Sequence, residues 1–122
     1  VRVLLVEDEE AVRHPVARYL ARRGATVDEA GHGVEGMARV AQVRPDVIVA
    51  DLRMPVMDGM EFYQHLRATD PGLAERVLFL SGDFSQLHAL EGLTIPSDRQ
   101  LLKPVDLDLL ERRIGAVARG TA

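Results

Sequence analysis

Residues Val47 to Gly59, VIVADLRMPVMDG, decide the fold. The run Val47–Ala50 is too short for a helix and lacks the alternation of a half-exposed strand. It suits a strand buried on both faces, which is the habit of a parallel sheet covered by helices. The run then meets a carboxylate, Asp51, and within a few residues a proline, Pro55, and an Asp-Gly pair. Asp58 is placed to cap a helix reaching to about Ala68. A strand built for burial that finishes on a charge needs a reason, and the rest of the chain supplies it.

Outward from this stretch, apolar runs alternate with amphipathic segments. Val1–Val6 reads as a strand, followed by the acidic turn Glu7–Glu10 and a helix with Val12, Val16, Tyr19 and Leu20 on one face, closed by Gly24. Pro15 lies inside that helix, where it removes a backbone donor and should kink without breaking it. Thr26–Glu29 is a weak strand. A Gly-rich start at Gly31–Gly36 leads into a helix with Val34, Met37, Ala38 and Ala41 directed inward. Arg76–Leu80 reads as a buried strand, Phe84–Leu90 as a poor helix, Gln100–Leu102 as a short strand, and Leu107–Arg119 as a helix with Leu107, Leu110, Ile114 and Val117 on one stripe. About five βα units imply an α/β fold: one doubly wound, five-stranded parallel sheet with helices on both faces and right-handed crossovers.

Composition bounds the function. With 122 residues, 47% of them hydrophobic, the chain can build one good core but not two, so residues 1–122 are read as a single domain. Cysteine is absent, which excludes disulfides and thiolate metal sites. No apolar run approaches the roughly 18 residues of a membrane span, and no leader pattern opens the chain. A soluble, cytoplasmic protein without membrane contact is expected. The net charge of −4, with no basic stripe, argues against nucleic acid as the domain's own ligand. Beginning on Val1 and ending soon after its last helical pattern, the chain reads as a piece of something longer.

In such a sheet all strands point their C-terminal ends at one edge, and ligands bind outside that edge where the strand order reverses. Glu7 and Asp8 follow the first strand, Asp51 the third, Ser81 the fourth, and Lys103 with Pro104 the fifth. Each alone has an ordinary explanation: an acidic helix start, or a Ser-Gly turn. Together they form a set with a chemistry. Unit charges 4 Å apart at an effective dielectric near 20 interact by about 4 kcal/mol, so converging carboxylates call for a cation. Oxygen donors without histidine or cysteine suit Mg²⁺, which keeps positions for water and a phosphate oxygen. A carboxylate nucleophile beside Mg²⁺, a hydroxyl and a lysine is a phosphoryl-transfer site. Lys103 is the only lysine among fifteen basic residues, as though the site wants a compact ammonium where arginine is otherwise the default.

These residues resemble a known family, the CheY-like receiver domains of two-component response regulators. The resemblance rests on LLVEDEE (4–10), DLRMPVMDG (51–59), FLSGD (79–83) and LLKP (101–104), in that order and over essentially the whole chain. It implies the flavodoxin-like receiver fold, with Asp51 as phosphoacceptor. Asp8 and Asp51 would ligate Mg²⁺, with Glu7 acting through water and the Arg53 backbone carbonyl adding a ligand. Ser81 and Lys103 would contact the phosphoryl oxygens, and the Lys103–Pro104 bond would be cis. The partners implied are a histidine kinase or histidine phosphotransfer protein and a downstream protein or attached effector. The domain would be a signalling switch and not an enzyme. Departures from the family lie on the output side: Gln100 stands where an aromatic switch residue is usual, Val105 where phenylalanine is common, and Pro96 and Ser97 in place of an alanine-glycine helix ending. Activation is therefore expected mainly in the loop after Ser81 and the weak fourth helix. The divergent segment is more similar to receivers of hybrid histidine kinases than to those of DNA-binding regulators.

Competing classes fare worse. A haloacid-dehalogenase-type phosphatase needs an acid at position 53, where arginine stands, and a flavodoxin needs a hydroxyl-rich phosphate loop where EDEE stands. A pseudo-receiver acting only as an interaction module, the remaining alternative, would have lost a site residue.

Overall fold

The computed structural model describes residues 1–82 and 95–119. Five strands, β1 (Arg2–Val6), β2 (Thr26–Ala30), β3 (Val47–Asp51), β4 (Val77–Ser81) and β5 (Gln100–Leu102), form one sheet in the order β2-β1-β3-β4-β5. Every pairing is parallel. The order reverses between β1 and β3, so the crevice favoured for ligands lies between the ends that carry Glu7 and Asp51.

The central strands are apolar throughout because both sheet faces are covered. Leu4, Val6, Ile48, Ala50, Val77 and Phe79 point to one face, against α2 (Gly33–Val43), α3 (Gly59–Thr69) and the single turn α4 (Pro71–Ala74). Val3, Leu5, Val47, Val49, Leu78, Leu80 and Leu101 point to the other, against α1 (Glu10–Arg22) and α5 (Leu107–Ala118). Phe62 and Phe79 are fully buried, and the Tyr63 ring meets Phe79 edge-on at 5.4 Å between centroids. Removing an aromatic ring from such a position costs about 3–5 kcal/mol.

The strand and helix boundaries follow the sequence closely. Helix α3 starts where Asp58 caps it: Glu61 N donates to Asp58 Oδ1 at 2.9 Å, and Asp58 N donates to Glu61 Oε1 at 3.4 Å. Strand β4 runs one residue further than expected, because Ser81 pairs with Leu102 of β5. Pro15 sits on the exposed face of α1 and does not break the helix. The single turn α4 is absent from the sequence reading, although Asp70 caps it and Pro71 opens it.

One expected helix face is wrong, and one position of another. In α1, Val16 and Leu20 are buried and Tyr19 packs against the same core, as expected, while Val12 is exposed. In α2, Val34, Ala38 and Ala41 are exposed, and the covered face carries Gly33, Gly36, Met37 and Val40. The cause is a close approach: a Cβ on Gly36 would lie 3.0 Å from the Phe62 ring and 3.2 Å from Val6. Hydropathy turned the valine inward, whereas packing turned the glycines inward. The helix expected at Phe84–Leu90 and the loop after Ser81 lie outside the described residues.

Candidate functional site

The acidic turn, the end of β3 and the start of the β5–α5 connection meet at the reversal point. Carboxylate oxygens of Glu7, Asp8 and Asp51 all lie within 4.8 Å of one another. Glu7 and Asp51 are buried, at 1% and 3% exposure, while Asp8 faces solvent. The Lys103 ammonium bridges the two buried acids, donating to Glu7 Oε2 at 2.8 Å and to Asp51 Oδ2. The second Asp51 oxygen, Oδ1, accepts from Arg53 N at 3.0 Å. Ser81 is fully buried at the end of β4, and its carbonyl accepts from Lys103 N at 2.8 Å, so the hydroxyl residue and the lysine are tied through the backbone. The Lys103–Pro104 peptide is cis.

The loop after β3 forms the outer wall. Asp8, Leu52, Arg53, Met54, Pro55 and Asp58 line a cleft of about 470 Å³ opening beside the carboxylates. Its return to the sheet depends on Gly59: Gly59 N donates to Leu52 O at 3.1 Å, and a Cβ there would lie 2.5 Å from the Asp51 carbonyl oxygen. A glycine is required for this contact.

The electrostatics are those of a site short of positive charge. Burial raises the Glu7 carboxyl to about 8, and its contact with Asp51 adds to the rise, while Lys103 and the Glu9 amide oppose it. Burial alone would lower the Lys103 ammonium, but its bonds to Asp51 and Glu7 outweigh that, and the net shift is upward. Among the described residues, one ammonium thus stands against a cluster of three carboxyl groups, touching two of them, and one of these tends to keep a proton near neutral pH. The all-oxygen donor set, with one exposed member, fits a hard divalent cation such as Mg²⁺.

All six residues singled out in the sequence, Glu7, Asp8, Asp51, Arg53, Ser81 and Lys103, fall at this one edge. The ion pair of Lys103 with Asp51 is the one expected of an ammonium on a flexible stem, whereas its ion pair with Glu7 was not foreseen. Nor was Arg13, whose guanidinium donates to the Glu7 carbonyl at 2.8 Å. Gln100, at the position of the usual aromatic switch, is half-buried and donates through Nε2 to Ile95 O at 2.9 Å. That bond holds the side chain, which offers no ring to move.

The chain belongs to the response regulator receiver domain family, whose model matches residues 3–115. Among curated relatives, the response regulator MprA of Mycobacterium ulcerans (strain Agy99) is 39% identical over 121 residues, covering 99% of this chain and 51% of that protein. MprA of Mycobacterium tuberculosis (strain ATCC 25177 / H37Ra) is 38% identical over 121 residues, covering 99% of this chain and 52% of the relative. The chain therefore spans about half the length of these curated relatives. Among solved structures, the receiver domain of the Francisella response regulator 1452 superposes with a TM-score of 0.86 at 28% identity, covering 99% of this chain and 98% of that one. The Vibrio cholerae chemotaxis protein CheY4 does so with a TM-score of 0.82 at 30% identity, covering 96% and 98%. The curated relatives are named response regulators, which lends no support to the likeness with hybrid-kinase receivers.

Proposed function

We propose that this domain is a phosphorylation-dependent signalling switch in which Asp51 accepts a phosphoryl group from a phosphohistidine of a histidine kinase or histidine phosphotransfer protein. The observation that carries this reading is the convergence of Glu7, Asp8 and Asp51 within 4.8 Å, with Lys103 bridging the two buried members. An Asp51 carboxylate oxygen attacks phosphorus, the phosphorus–nitrogen bond breaks, and its electron pair leaves with the imidazole. Burial at the end of β3 holds the nucleophile rigid, and Arg53 N fixes its rotation. Lys103 pairs with Asp51 beforehand and with a phosphoryl oxygen afterwards, and the Ser81 hydroxyl donates to a second. Asp8 and Asp51, with Glu7 behind them and the Arg53 carbonyl beside them, would hold Mg²⁺, which when bound neutralises the charge developing on the phosphoryl oxygens.

The chain carries the phosphoryl group on itself and assists its own phosphorylation and dephosphorylation, so it acts as a signalling switch and not as an enzyme. Its partners are the phosphodonor and a downstream protein or attached effector that reads the phosphorylated state. The working compartment is the cytoplasm. No helix among the described residues is long and apolar enough to cross a membrane, and at a net charge of −4 neither lipid headgroups nor nucleic acid are this domain's ligands.

Intact-mass measurement after treatment with acetyl phosphate and Mg²⁺ tests the reading. One phosphoryl group per chain is expected, absent in Asp51→Asn and in excess chelator. Undiminished labelling in either control refutes it.

A further inference from the structure

Strand β2 has a poor sequence for a strand, TVDEA, with Asp28 and Glu29 in its middle. Both acids have arginine partners. Arg2 Nε meets Asp28 at 2.9 Å across the outer ladder, where the arginine is half-buried. The Glu29 pair points elsewhere. Arg13, reaching from α1, donates through Nε to Glu29 Oε1 at 3.0 Å and through NH1 to the Glu7 carbonyl oxygen at 2.8 Å. That carbonyl belongs to the peptide bond that leads into Asp8.

The reason a side chain is needed there lies in the sheet. The β1–β2 ladder makes a last bond from Glu7 N to Ala30 O, at 3.0 Å. By the regular step of a parallel ladder, the Glu7 carbonyl would next accept from the amide of residue 32. Strand β2 ends at Ala30, however, and His32 is already the N-cap of α2. Arg13 supplies the donor that the sheet no longer offers. Its side chain is 16% exposed and held between the two acceptors, so the fork has little freedom.

We propose that Arg13, anchored by Glu29, is a positioning residue for the cation site: it fixes the plane of the Glu7–Asp8 peptide and so the direction of the Asp8 carboxylate toward Asp51. The proposal rests on the reading of the site as a Mg²⁺-dependent phosphoacceptor. Asp8 needs such a restraint because it is exposed, so burial does not hold it as it holds Glu7 and Asp51. A guanidinium can serve both acceptors at once through its planar fork, whereas an ammonium acts as a point charge.

The test turns on sign. Arginine is a cation beside a cation site, so if only its charge mattered, Arg13→Met would bind Mg²⁺ more tightly than the parent, and Arg13→Lys would bind it equally well. If Arg13 positions Asp8, both variants bind Mg²⁺ more weakly, by roughly ten- to hundred-fold, as for loss of other groups that orient metal ligands. Calorimetric titration of the phosphate-free chain with MgCl₂ reads this directly. Acetyl phosphate labelling at saturating Mg²⁺ should then return toward the parent rate, because the loss lies in cation affinity. Arg13→Lys keeps the charge and most of the packing, so it carries the test if Arg13→Met does not fold. An Arg13→Lys affinity equal to the parent's, or a tighter Arg13→Met, overturns the proposal while leaving the phosphoacceptor reading intact. A parent chain that does not bind Mg²⁺ overturns both.

Discussion

Replacing Gly59 by alanine sets two effects of opposite sign against each other. Gly59 is the first residue of α3, and within a helix alanine is favoured over glycine by about 0.5–1 kcal/mol. A Cβ at this position would lie 2.5 Å from the Asp51 carbonyl oxygen and 2.8 Å from the Leu52 Cα. Both are backbone atoms, so no flexible side chain can swing aside. Restoring ordinary contact at about 3.5 Å requires the helix start and the strand end to separate by about 1 Å. Overpacking of this kind costs about 1–3 kcal/mol. The same movement stretches the bond from Gly59 N to Leu52 O, and a typical hydrogen bond contributes about 1 kcal/mol net.

The clash outweighs the propensity gain, giving a net loss of about 1–3 kcal/mol and a fall of several degrees or more in Tm. Urea unfolding followed by circular dichroism measures it. Because the displaced peptide carries Asp51, the rate of labelling by acetyl phosphate should also fall at a temperature where both proteins are fully folded. An alanine variant as stable as the parent, or more so, refutes the reasoning, since helix propensity alone predicts that result.

Two further outcomes follow from the site. In Mg²⁺-free buffer the Glu7 carboxyl titrates near 8 in the folded chain against an ordinary value of 4.5; the stabilisation carried by its proton is therefore complete below the ordinary value and lost as pH rises through the folded one. Glu7→Gln has no such titration, so its stability relative to the parent should improve between about pH 5 and pH 8, and a pH-independent difference in urea midpoints would count against the assignment. Lys103→Arg should keep the fold but slow phosphorylation of Asp51 on the order of 10–100-fold, the scale of a misplacement near 1 Å at a reacting centre. Its wider fork must fit where one ammonium now touches both Glu7 and Asp51. Parent-like labelling rates and stoichiometry in the arginine variant would make the lone lysine an accident of composition.

Those parts of the fold that rest on one-dimensional patterns were legible in the sequence. Strand β3 could be read because burial on both faces leaves an unbroken apolar run, and α3 because Asp58 stands at its start as the cap. The site was legible for a related reason. A parallel sheet sends every strand end to one edge, so residues distant in sequence need only stand after a strand to be neighbours in space. Helix faces were less legible. In α2 the covered face is chosen by how closely Gly33 and Gly36 let the helix approach the loop at Met57, the Phe62 ring and Val6, and no property of Val34 itself records that distance.

The same distinction explains why Arg13 escaped notice while Lys103 did not. Lys103 follows a strand and is chemically unlike every other basic residue in the chain, so both its position and its type stand out. Arg13 is one of many arginines, on a helix, and its partners are a carboxylate in β2 and a backbone carbonyl. A backbone acceptor carries no residue-type signal. The one trace it left is indirect: the pair Asp28-Glu29 weakens β2 as a strand and has no explanation until Arg2 and Arg13 are seen to use both charges. Local inconsistency between a strand and its residues is a place to look for a function, because a sequence that accepts a poor strand is being held there by something else.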